Sequence, residues 1–170
     1  MYAVISNFLK KYVKGSTIFK YGFNYSPMYK RSTGRIAFVS DDLLQAKVKI
    51  PITYKNKNYV GSIFGGSLFS ATDPVFMIQL IHILGDEYVV WDKEATIKFK
   101  RPAKEDAYVD FIFTQEEIEK IKERVVEEKE INIVKEIQII NKEASTVFAE
   151  VSKTIYIADK IYYKNKRKKK

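Results

Sequence analysis

Asp73 lies inside a long apolar stretch, Ile63–Leu84, that opens on two adjacent glycines, Gly65 and Gly66. A carboxylate at such a position suits a general base. Paired glycines let a ligand approach the backbone closely. The free N–H groups in the first turn of a helix, at the positive end of its dipole, stabilise a developing oxyanion. A structural role stands beside each of these. Asp73 reads equally as a buried acid bonded to Ser or Thr, Gly65 and Gly66 as a tight helix–sheet contact, and Asn58 as a turn residue before the helix.

Other chemistries lack their residues. The chain has no Cys, so it has no thiolate nucleophile, disulfide or thiolate metal site. Its one His, His82, reads as a core or interface side chain, and no carboxylate cluster stands ready to complete a metal site. No Gly-rich loop runs into Lys-Ser or Lys-Thr, as a phosphate cradle requires.

The elements that must hold these residues follow from periodicity. Val4, Ile5, Phe8, Leu9, Tyr12 and Val13 make one face of a helix over Ala3–Val13. Tyr21–Tyr29, with Pro27 inside, reads as an aromatic loop packed as a lid. Arg35–Val39 is a short strand. Leu44, Ala46, Val48 and Ile50 alternate with Gln45, Lys47 and Lys49, which predicts an antiparallel strand with one wet face. Ile63–Leu84 is apolar nearly all round and must be covered on nearly all sides; its Asp73, Pro74, Gln79 and His82 argue for a core helix rather than a membrane span. Strands are expected over Val89–Lys100, Tyr108–Phe113, Ile131–Ile140 and Thr146–Ile157. In the first, Val89, Trp91, Ala95, Ile97 and Phe99 share a face that Lys93 breaks; in the last, Lys153 is the exception. Thr114 and Glu117 form a capping box for a helix that turns Ile118, Ile121 and Val125 inward. A curved antiparallel sheet around one helix accommodates this order, whereas a doubly wound fold does not.

The formal charge is +9, of which +7 falls in residues 160–170, leaving +2 for the rest. The basic end reads as a solvated, flexible tail, with a nucleic-acid or anionic-membrane contact as the alternative. No secretory leader is evident, and a cytoplasmic location is expected.

The run from Asn58 through Gly61, Phe64, Gly65 and Gly66 to Asp73 resembles the motif of hotdog thioesterases of the phenylacetyl-CoA thioesterase type. That motif reads Asn-x-x-Gly-x-x-His-Gly-Gly, with an acid seven residues after the second Gly. Gly-Ser-Ile-Phe-Gly-Gly-Ser-Leu at 61–68, the Asp73-Pro74 pair and Val90-Trp91-Asp92-Lys93 are similar to an uncharacterised thioesterase-like hotdog group of bacteria. The resemblance covers Ile36 to Ile157. It implies an α+β hotdog fold, a long central helix wrapped by a curved antiparallel sheet. The chain then divides into residues 1–30 (N-terminal helix and aromatic loop), 31–159 (hotdog domain) and 160–170 (basic tail).

The resemblance also implies roles. Asp73 would be the general base or nucleophile on an acyl thioester, Gly66 would offer its N–H to the thioester oxygen, and Asn58 would hold the water or carbonyl, from the other subunit of a homodimer or dimer of dimers. Gly65, Phe64 and Ser67 would touch substrate. Lys93, beside Asp92, would line the pocket mouth or form an ion pair at the dimer edge. Arg101, with Lys98 and Lys100, would meet the phosphates of CoA, or simply form a solvated strand edge. No cofactor is implied beyond a CoA thioester as substrate, and no nucleic-acid partner. Two positions depart from the pattern: Phe64 stands where the family has His, and Pro74 follows the acid directly, which predicts a kink there. Acyl-CoA hydrolysis is the expected activity, with binding of acyl-CoA or an acyl chain without turnover as the alternative. Hydratases of this fold pair an acid with a His near the helix start, which this chain lacks.

Overall fold

A computed structural model describes residues 13–168; the helix expected over Ala3–Val13 lies, but for Val13, outside them. Helices α1 (Gly15–Tyr25) and α2 (Pro27–Arg31) precede strands β1 (Arg35–Val39) and β2 (Gln45–Ile50). The central helical segment comes next, as α3 (Gly65–Thr72) and α4 (Val75–Leu84). Then follow β3 (Tyr88–Phe99), β4 (Ala107–Ile112), α5 (Gln115–Glu128), β5 (Glu130–Ile140), β6 (Val147–Asp159) and α6 (Lys160–Lys168). The six strands form one antiparallel sheet in the order β1-β2-β4-β5-β6-β3, and the sheet wraps the central helix. This is the α+β architecture the pattern implied.

The alternation in β2 does what it promised: Ala46, Val48 and Ile50 are buried, while Lys47 and Lys49 pair with Asp110 and Asp106 on the wet face. In the central segment Leu68, Thr72, Phe76, Leu80 and Leu84 are all buried. That stripe at four-residue spacing runs on through the break between α3 and α4. By length and composition Gly65–Leu84 is apolar enough to cross a membrane, and half of its apolar window is buried inside the fold. The break falls at Asp73-Pro74, because proline supplies no backbone N–H to the ladder.

Three expectations need correction. Tyr21–Tyr29 is helical rather than a loop. Phe19 and Phe23, four residues apart, stack at 4.8 Å on the buried side of α1, and Pro27 starts α2 at a position where a missing N–H costs nothing. The Tyr29 hydroxyl donates to the Ala71 carbonyl at 2.9 Å, tying α2 to α3. The residues from Lys160 are likewise not a frayed tail through Lys168. Asp159 Oδ1 accepts from the Tyr162 N–H at 2.7 Å and caps α6, Lys166 pairs with Glu130 at 2.5 Å, and Tyr163 lies edge-on to Trp91.

β3 also departs from the expected alternation. Its register against β6 shifts between Asp92 and Glu94, leaving Lys93 at a bulge. The inward face therefore runs Val90, Asp92, Ala95, Ile97, opposite the buried Ile157, Ile155, Lys153 and Val151 of β6. Trp91 turns to the outer face, where it stacks on Tyr156 at 4.6 Å.

Candidate functional site

The loop before α3 is held by backbone and side-chain bonds. The Ile63 N–H donates to Ala103 O at 2.8 Å and the Phe64 N–H to Asn56 O at 2.7 Å. Asn56 is the buried hub: its Nδ2 donates to Thr33 Oγ1 and Pro51 O, and its Oδ1 accepts from the Thr53 N–H. Asn58 closes the turn, with Oδ1 accepting from the N–H groups of Val60 and Ser62 and from the Ser62 hydroxyl. The acceptor of Asn58 is thus used within its own loop, and its NH2 group makes no hydrogen bond among the described residues.

The Phe64 carbonyl accepts from the Ser67 and Leu68 N–H groups. The N–H groups of Gly65 and Gly66 precede these first bonds and stay outside the helical ladder. A Cβ at Gly65 would come within 2.7 Å of the Phe99 ring. A Cβ at Gly66 would collide with the ring of Phe64, which therefore lies against the Gly66 backbone and is 60% exposed.

A cleft of about 390 Å3 opens beside this turn. Asn58, Gly65 and Arg101 line it, with Leu68, Phe99 and Lys100 among the other walls. Arg101 and Lys100 are set at its rim by their N–H bonds to Phe148 O. Ser67 is buried in α3 and does not line the cleft.

Asp73 lies elsewhere. It is seven residues beyond Gly66, about 10 Å along a helix axis. Its side chain is 57% exposed, so it is not the buried acid that the apolar stretch suggested. Its partner is Lys153, which is fully buried on the inward face of β6. The Lys153 ammonium donates to Asp73 Oδ1 at 3.0 Å, to the Asp73 backbone carbonyl, and to Asp92 Oδ2 at 2.6 Å. All three of its N–H donors are used. Burial pushes the Asp92 carboxyl above the ordinary carboxylate range, against the pull of the Lys153 hydrogen bond and charge, and the Asp73 charge adds to the rise. Among the described residues, Asp92 Oδ1 is buried without a hydrogen-bond partner.

Asp92 thus pairs with Lys153 and not with its neighbour Lys93, which is exposed on the bulge. Lys153 was legible only as the exception on an apolar strand face. The signal that would have found it is charge balance, because a lone inward ammonium demands inward carboxylates.

Residues 15–157 match the family described as a domain of unknown function, DUF4442. The chain belongs to that family. Among solved structures, the DUF4442 chain is similar to a Pseudomonas aeruginosa protein of unknown function described as a probable thioesterase. The two are 22% identical with a TM-score of 0.73 over 84% of this chain and 95% of that one. A thioesterase from Haemophilus influenzae aligns at 11% identity and TM-score 0.62, over 88% and 94% of the two chains. The Escherichia coli PaaI protein from the phenylacetic acid degradation operon aligns at 17% and 0.55, over 79% and 86%. No curated protein matches. The neighbours share the fold, and this DUF4442 protein is a hotdog-fold protein.

Proposed function

We propose that the protein hydrolyses acyl thioesters, with acyl-CoA as substrate and a homodimer as the working form. The observation that carries this reading is the cleft at the start of α3. Its walls at Ile63, Leu68 and Phe99 suit an acyl chain or pantetheine arm, and Arg101, beside a Lys100 that pairs with Glu150 at 2.9 Å, suits the phosphates of CoA. The Gly66 N–H supplies a donor for the thioester oxygen. Asp73 takes a proton from water, the hydroxide adds to the carbonyl carbon, the C–S bond breaks, and the departing thiolate recovers the proton. Because Asp73 and Gly66 stand about 10 Å apart along one helix, the acid of one copy serves the loop and glycine turn of the other, with Asn58 donating through its amide.

A second reading has its own observation. The Phe64 ring covers Gly66 where the family places His, and the Asn58 oxygen is committed to its turn. Such a site would bind an acyl-CoA without turning it over. A panel of short, medium and long acyl-CoAs, followed by thiol release with a thiol-reactive dye, separates the two. The protein contributes no thiol of its own. Turnover on any member supports hydrolysis; saturable binding with no release on any member supports the binder.

Gly65→Ala tests the cleft. The added methyl meets the tip of Phe99, an exposed ring that is free to swing. KM for acyl-CoA is expected to rise several-fold while the melting temperature stays within a few degrees. Unchanged KM removes the cleft from the substrate path.

A further inference from the structure

We infer that Lys153 is the positioning residue for Asp73. Its ammonium ties the acid at the helix break to Asp92 on β3 and fixes one carboxylate oxygen, leaving the other for water. This rests on the hydrolase reading above.

Four features support it. The break at Pro74 interrupts the hydrogen-bond ladder at the residue that carries the acid, so the helix alone does not hold Asp73. Lys153 grips Asp73 twice, through its backbone carbonyl and Oδ1, so position and rotamer are set by one group. Asp73 Oδ2 makes no hydrogen bond among the described residues, and the side chain is 57% exposed, so the second oxygen is open to a ligand. The bulge at Lys93 brings Asp92 to the inward face, where it anchors the ammonium from the opposite side at 2.6 Å. A fully buried ammonium reaching from the sheet to a helix break is a costly arrangement for packing alone, since an apolar side chain fills such a site as well or better.

The test compares Asp92→Leu/Lys153→Met, which removes both buried charges together, with the unaltered protein on the acyl-CoA panel. The fold is checked by circular dichroism and thermal melting. The double variant is expected to stay folded and to lose about 100-fold in kcat with KM within about threefold, as a mispositioned acid should. A folded double variant with unchanged kcat overturns the assignment. Should the double variant not fold, Lys153→Cys supplies the same information. It is the only thiol in the chain, so alkylation in urea with 2-bromoethylamine, followed by refolding, rebuilds a lysine-like ammonium side chain of nearly equal length, with sulfur in place of the γ-methylene. Restored kcat after this treatment, and not after iodoacetamide, supports Lys153; equal kcat from both products overturns it. An unaltered protein that turns over no acyl-CoA overturns the hydrolase reading itself, and this assignment with it. That outcome is told apart from the others by the unaltered control.

Discussion

Lys153→Met alone is expected to cost about 3–5 kcal/mol of folding stability, the penalty for leaving a buried charge without its partner. Lys153 is fully buried, and the Asp92 side chain is only 16% exposed. The methionine fills the space of the lysine stem but leaves Asp92 facing an apolar interior. The deficit depends on pH in a defined direction. The Asp92 carboxyl is already raised by burial, and Lys153 is the group that holds it down. A carboxyl raised in the folded state gives its full stability below its unfolded value, ordinarily 3.8. That contribution is lost as pH rises through the folded value. Removing the ammonium pushes the folded value higher still. The Lys153→Met deficit is therefore largest near neutrality and shrinks as pH falls toward the ordinary carboxylate range. Urea unfolding near pH 7 and near pH 4 measures both ends. Asp92→Leu/Lys153→Met should recover most of the loss at neutral pH, because it removes the stranded charge. A single variant as stable as the parent at pH 7 would show that Asp92 is solvated, and the buried triad would fall with it.

The parts of the fold that could be read in the residues are those where one period runs unbroken. β2 alternates strictly and α5 carries a capping box with an inward stripe, and both form as written. Failures come where a local irregularity changes the face. In β3 the single extra residue Lys93 moves Asp92 inward and Trp91 outward, and strict alternation carries no record of a bulge. In Tyr21–Tyr29 the proline reads as a loop signal, although at the first helical position it starts a helix. The end of the chain reads as a solvated tail from composition; its aromatic and carboxylate anchors, Trp91 and Glu130, lie far away in sequence. The site is split in the same way. The glycine turn and Asp73 are contiguous in sequence and carry a motif. The group that holds Asp73 is 80 residues distant and visible only as an anomaly on β6.

Asp73→Asn keeps the shape of the side chain and an oxygen for Lys153 while removing the base. General-base removal typically lowers turnover by about 100- to 10,000-fold, and substrate affinity should be nearly unchanged, because the cleft at Gly65 and Arg101 does not include Asp73. The most direct measurement is thiol release from the acyl-CoA panel by parent and Asp73→Asn proteins side by side, with acyl-CoA affinity measured by calorimetry on both. Turnover in the parent that is lost in the variant, with affinity retained, is the predicted result. Equal turnover in both proteins, or tight binding with no turnover in either, would contradict the claim that Asp73 activates water against an acyl thioester.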